Sequence, residues 1–140
     1  MIRIDPQAWR VMLEHARSAY PRECCGLLLG REEAGGRRMV DAVACRNAWE
    51  GDQKDRFAID PADLARVQRE ARGSGLDLLG VFHSHPDEDA YFSQTDLENS
   101  CPWYANVVLS IRQGDYAGAA CFNVDPDQTA ATPEPFEIAD

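Results

Sequence analysis

The sequence has no uninterrupted apolar run of eighteen residues, so no helix in it is expected to cross a membrane. It also lacks a basic block. Arg31, Arg37, Arg38, Arg66, Arg69 and Arg72 are interleaved with acids, and the formal net charge is −10. Phosphate backbones would meet a repulsive surface, so no nucleic-acid partner is expected. No two of the five cysteines stand in C-x-x-C spacing. An odd, scattered set reads as reduced thiols of a cytoplasmic protein, mostly in the core. The N-terminus lacks the charged-then-apolar pattern of a secretory signal. Repeats and low-complexity linkers are absent, and 140 residues suit one domain, residues 1–140. Histidine is scarce, with three in the chain.

What is present is the patterning of a globular α+β protein. Asp5 and Pro6 form a helix start, with Asp5 as N-cap and Pro6 at the first helical position. Trp9, Met12, Ala16 and Ala19 give that helix one apolar face, and Pro21 ends it near Tyr20. Cys24 to Leu29 is an apolar run closed by Gly30 and reads as a buried strand. Adjacent Cys24 and Cys25 would point to opposite sides of it. Gly35 and Gly36 signal a turn into a second strand, Met39 to Cys45. Residues 47–55 read as a loop, and Phe57 to Ile59 as a short strand. Asp60 and Pro61 repeat the helix-start chemistry, Leu64, Val67 and Ala71 face the core, and Gly73 and Gly75 end the helix. Leu76 to His85 is the strongest strand. Val107 to Arg112 and Tyr116 to Val124 read as a hairpin around Gly114 and Asp115, with a last short strand near Phe136. Trp103 and Tyr104, with exposed sheet edges, suit a homodimer contact, and core packing accounts for the pair equally.

The chemistry concentrates between His83 and Asp96. His83 and His85 lie on one face of a strand, with Cα atoms about 6.6 Å apart, and Ser84 faces the other way. Two imidazoles at that separation can converge on one ion at roughly 2.0–2.1 Å each. Ser93-Gln-Thr-Asp96 has the form of a capping box at a helix start. The partial positive charge there keeps a carboxylate ionised, which suits a metal ligand. Asp96 would complete a set of two histidines and one carboxylate. Three protein ligands leave a fourth position for water, the arrangement of a catalytic rather than a structural zinc site. Such a site needs a proton acceptor. Glu23, at the mouth of the first apolar strand, is one candidate among several, with Asp77 and Glu98 as others.

Taken together, Glu23, the apolar run to Gly30, His83-Ser84-His85-Pro86, Ser93 and Asp96 resemble the JAMM signature of MPN-plus metallopeptidases. Seven residues separate His85 from Ser93 and two separate Ser93 from Asp96, without a gap against that signature. The order of helices and strands resembles the family over nearly the whole chain. The resemblance implies an α+β fold, a mixed, mostly antiparallel sheet flanked by helices around a cytidine-deaminase-like core. It implies that His83, His85 and Asp96 hold one zinc ion per chain. Glu23 then acts as general base and acid, and Ser93 helps stabilise the oxyanion. One departure is Phe92, where many relatives have proline. The short chain resembles the compact bacterial branch, which acts on ubiquitin-like sulfur-carrier proteins with a β-grasp fold and a Gly-Gly tail. The implied reaction is hydrolysis of a peptide or isopeptide bond after that tail.

The alternatives are a non-catalytic zinc-containing scaffold for a ubiquitin-like partner and a RadC-like protein. The asparagine usual between the histidines of the latter group is Ser84 here. A zinc deaminase would need Pro-Cys-x-x-Cys, which is absent. The acidic run Asp87, Glu88 and Asp89 reads either as a solvated loop or as a negative rim selecting a basic partner.

Overall fold

The computed structural model describes residues 1–140. Its elements are β1 (Ile2–Ile4), α1 (Pro6–Ala19), β2 (Cys25–Glu33), β3 (Gly36–Cys45) and α2 (Pro61–Gly73). Then follow β4 (Asp77–Pro86), α3 (Gln94–Glu98), β5 (Ala105–Arg112), β6 (Asp115–Val124), β7 (Ala131–Glu134) and β8 (Phe136–Ile138). Both long helices begin at their Asp-Pro pair. Asp60 accepts a hydrogen bond from the Ala62 N–H at 2.8 Å, as an N-cap should. Asp5 behaves differently. Its side chain caps nothing and pairs with the Arg38 guanidinium at 2.9 Å, because β3 brings that cation alongside.

The eight strands form one sheet in the order β7-β6-β5-β4-β2-β3-β1-β8. The pairs β2–β3, β2–β4, β5–β6 and β6–β7 are antiparallel, and β1–β3, β1–β8 and β4–β5 are parallel. A mixed, mostly antiparallel sheet flanked by helices was the expectation, and it is what is observed. The β2–β3 turn places Gly35 at φ 84°, a conformation that costs glycine nothing. The expected strand at Phe57 to Ile59 does not form. That stretch is held in the loop by Asn47, whose Oδ1 accepts the Ala58 N–H at 3.1 Å while the Ala48 N–H donates to the Ala58 carbonyl at 2.8 Å. Strands β1 and β7 lie outside the sequence expectation, being too short to carry a periodic signal.

The two faces of the sheet are buried by different helices. Ala8, Met12 and Ala16 of α1 pack on Leu28, Phe82, Val107 and Leu109. Val67 and Ala71 of α2 pack on Cys25, Leu27 and Leu29 from the other side. Strand alternation explains the split: Cys24 belongs to the first core and Cys25 to the second. Phe82 is fully buried beneath Gly26, where an added Cβ would stand 2.2 Å from the Phe82 ring. Truncating Phe82 to alanine should cost about 3–5 kcal/mol. The same alternation turns Val81, His83 and His85 towards the α2 face. Trp103 is 76% exposed, which rules out the core reading for that residue; Tyr104 is half-buried. No helix is long and apolar enough to cross a membrane.

Candidate metal centre

The site forms where the end of β4 meets the first turn of α3. β4 and β5 are parallel, so the chain between them must cross over, and α3 lies in that crossover. Pro86 closes the strand, and the chain returns so that the start of α3 faces the two imidazoles. The capping box is complete: Ser93 Oγ accepts the Asp96 N–H at 3.0 Å, and Asp96 Oδ2 accepts the Ser93 N–H at 3.0 Å. Capping therefore fixes the Asp96 carboxylate in place beside the two imidazoles. The Ser93 hydroxyl proton is not spent in the cap and remains available as a donor.

His83 Nε2, His85 Nε2 and Asp96 Oδ2 make a near-equilateral triangle. The two nitrogens are 3.2 Å apart, and they stand 3.2 and 3.1 Å from the oxygen. Ligands about 2.0 Å from a tetrahedral zinc are about 3.3 Å from one another. The triangle thus has nearly the dimensions of one face of such a tetrahedron. All three residues are buried. The three form the one group of His, Cys, Asp or Glu side chains in the chain that could hold a metal ion.

The hydrogen bond on the far side of the His85 ring prepares its Nε2 as an acceptor. His85 Nδ1 lies 2.9 Å from the Asp89 carbonyl oxygen, which can only accept, so Nδ1 carries the proton. In neutral His85 the Nε2 lone pair then points at Asp96 and at His83. Burial lowers the pKa of His83 and keeps that ring neutral. Burial acts the same way on His85, but Asp96 and the Asp89 carbonyl outweigh it and raise the value. Burial also opposes ionisation of Asp96, yet the two imidazoles against it hold it well below the usual carboxylate range. Acceptors facing one another in a dry pocket repel unless a cation sits among them. The donor set fits a divalent ion on that ground.

The acidic turn is solvent-exposed and at the same time tied down. Asp87 accepts from the Tyr20 hydroxyl at 2.7 Å and from the Gln113 N–H at 2.8 Å. The Arg112 guanidinium donates to the Asp87 carbonyl at 3.1 Å and pairs with the Asp89 carboxylate at 2.5 Å. Ser110 Oγ donates to the Glu88 carbonyl at 2.5 Å, and Tyr91 donates to the Glu88 carboxylate at 3.4 Å. The turn is pinned from β5, and its product is the Asp89 carbonyl that orients His85. Phe57 stacks on the His83 ring with centroids 4.6 Å apart, and Tyr91 meets His85 edge-on at 4.9 Å. Neither ring was a sequence candidate. No residue type marks a backbone carbonyl or a packing ring in advance.

Glu23 is 4% exposed, whereas Asp77 and Glu98 are exposed. The β2–β4 register pairs Cys25 with His83. The Ser84 N–H donates to the Cys24 carbonyl at 3.2 Å, and the Cys24 N–H to Ser84 Oγ at 2.8 Å, so the pairing runs on. One step further sets Glu23 opposite His85, on the same face. Its backbone is tied to the loop through the Gln53 carbonyl at 2.7 Å and the Asn47 amide at 3.2 Å. Its Oε1 is buried without a hydrogen-bond partner. Burial first, then the nearby charge of Asp96, pushes its pKa up to about 9. A cation at the triad would oppose both effects. Phe92 stands where the resemblance has proline. It stacks on Phe122 at 5.4 Å and walls a cavity beside His83.

A strand carrying His-x-His beside a helix-borne carboxylate, on a mixed sheet with helices on both faces, is the architecture of a JAMM-type hydrolase. The chain belongs to the prokaryotic homologs of the JAB domain, which match residues 5–124. It is 31% identical over 104 residues to the desampylase of Haloferax volcanii, covering 71% of this chain and 73% of that protein. It is 30% identical over 98 residues to the CysO-cysteine peptidase of Mycobacterium tuberculosis, covering 70% of this chain and 64% of that one. Among solved structures, a protein from Desulfitobacterium hafniense superposes with a TM-score of 0.86 at 27% identity. That match covers 100% of this chain and 94% of the other.

Proposed function

We propose that this single-domain protein is a zinc metallopeptidase that hydrolyses the amide bond after the Gly-Gly tail of a ubiquitin-like sulfur-carrier protein. The observation that carries the reading is the 3.1–3.2 Å triangle of two imidazole nitrogens and one carboxylate oxygen. The names of the relatives support the substrate class, since one is a desampylase and another a CysO-cysteine peptidase. Five unpaired cysteines suit a reducing cytoplasm. A homodimer belongs to this reading, with exposed Trp103 as its contact.

His83, His85 and Asp96 would hold the ion, which when bound supplies Lewis-acid polarisation of the scissile carbonyl and lowers the pKa of water towards about 7. Glu23 accepts the proton of the attacking water, a role that fits a buried carboxylate oxygen with no donor of its own. It then gives that proton to the departing amine, returning to its starting state. The Ser93 hydroxyl donates to the oxygen on which negative charge develops. The rings of Phe57 and Tyr91 hold the imidazoles and keep bulk water away from them.

The test uses a ubiquitin-like carrier extended beyond its Gly-Gly. Incubation with the zinc-loaded protein should shorten it to the Gly-Gly end by intact mass. A chelator should stop the reaction and added zinc restore it. An unchanged carrier mass across a panel of such carriers would overturn the proposal.

A further inference from the structure

The cavity beside His83 and Asp96 is wide and apolar, and a Gly-Gly tail has no side chain to put in it. Its volume is about 340 Å³, and Trp49, Phe57, Phe92 and Tyr104 contribute to its walls. Arg56 is the one arginine in its lining, which holds no lysine. The guanidinium carbon of Arg56 lies 5.2 Å from the centroid of the Trp49 ring. A guanidinium laid on an indole keeps its edge N–H groups free for an anion.

The loop that carries these residues is built, not loose. Asn47 Nδ2 donates to the Arg56 carbonyl at 2.9 Å and to the Glu23 carbonyl at 3.2 Å. Asn47 Oδ1 accepts the Trp49 N–H at 3.0 Å, and Gln53 Nε2 donates to the Trp49 carbonyl at 2.8 Å. One side chain therefore ties Trp49, Arg56 and Glu23 into a single frame. The cavity opens onto the triad, because His83 and Asp96 themselves line it.

We infer that this cavity seats the single amino acid released from the tail, with a large apolar side chain against the aromatic walls and its free α-carboxylate on Arg56. The inference rests on the peptidase reading above and narrows its substrate. Water adds across the amide and the C–N bond breaks. The glycine carboxylate forms on one side, and the free amino acid takes up the proton on its nitrogen on the other. A leaving lysine inside a folded protein would bring no carboxylate to Arg56. The geometry therefore selects removal of one C-terminal residue over isopeptide cleavage.

The experiment measures binding in the Glu23→Gln protein loaded with zinc, so that turnover does not enter. Acetyl-Gly-Gly-Phe and its C-terminal carboxamide are titrated calorimetrically, with acetyl-Gly-Gly-Asp as a third probe. The free acid should bind about tenfold or more tightly than the carboxamide, the worth of a charge-assisted contact. The aspartate peptide should bind at least about tenfold more weakly than the phenylalanine acid, having no apolar side chain to bury. Adding Arg56→Gln should bring the acid-to-amide ratio to about one. Arg56 is exposed, so this change leaves the fold intact. Equal affinities for acid and amide, a ratio that survives Arg56→Gln, or no binding of either peptide would each overturn the inference. If the acid preference holds while the wild-type protein cleaves no carrier, the peptidase reading fails and the released residue fails with it as the occupant, leaving only a carboxylate contact at Arg56. If carriers are cleaved while the preference is absent, only the cavity assignment fails.

Discussion

Replacing Glu23 by glutamine should stabilise the metal-free protein at the same time as it abolishes turnover. Glutamine keeps the shape and removes the titration. Glu23 is pushed up from 4.5 to about 9 by burial and by the charge of Asp96. The folded state therefore binds a proton that the unfolded state releases at any pH between those two values. By linkage, stability falls as pH rises through that window and levels off above about 9. At about 1.4 kcal/mol per unit, the wild-type protein at pH 8 carries a penalty on the order of 3–5 kcal/mol that the variant lacks. At pH 5 the difference shrinks to under about 1 kcal/mol. For a chain of this size, that corresponds to a melting-temperature gain of roughly 10 °C at pH 8. The assay is thermal or urea unfolding of chelator-treated wild-type and variant proteins at pH 5, 6.5 and 8. Titrating groups that do not interact with Glu23 are common to both proteins and cancel in the difference. Loading zinc should shrink the gain, because a divalent charge stabilises the carboxylate. Equal stabilities at every pH would refute the reasoning, since they would mean that Glu23 is solvated and ionised at little cost.

Further outcomes follow from the same geometry. Asp96→Ala should sharply weaken metal binding and cost about 1 kcal/mol or more through the broken capping box; an unaltered zinc content by elemental analysis would count against its role as a ligand. Ser93→Ala should lower kcat by about 10²-fold while leaving zinc content intact, with about 1 kcal/mol lost from the helix cap in unfolding assays; full activity would remove Ser93 from the oxyanion site. Arg112→Gln frees the turn that presents the Asp89 carbonyl, and zinc affinity should drop by about tenfold in competition with a chromogenic chelator. A variant that holds zinc as tightly as the parent would show that the turn needs no anchor from β5.

Much of the site was legible because its parts obey local rules. His83 and His85 share a face through strand alternation alone, and Ser93 and Asp96 announce a helix start through capping chemistry. Asp60-Pro61 behaved as its residues dictate, whereas Asp5-Pro6 started a helix but spent the Asp5 carboxylate on Arg38. That partner lies 33 positions away, beyond any local rule. Phe57 to Ile59 had strand-like residues, but the amide of Asn47 claimed the backbone groups that a sheet would have used. Glu23 could not be told from Asp77 or Glu98 by composition. Only the β2–β4 register, with Cys25 against His83, sets it beside the triad. The Asp87 to Asp89 turn is solvated, as its acidity suggests, and it also presents one main-chain oxygen to His85, which no residue type marks in advance.

The central claim is that His83, His85 and Asp96 grip a single ion and leave a place for water. X-ray absorption at the zinc edge of the purified protein, with elemental analysis, tests it most directly. The expected result is one zinc per chain in a shell of nitrogen and oxygen only, at about 2.0 Å. A shell containing sulfur at about 2.3 Å would place the ion on the cysteines instead and contradict the account.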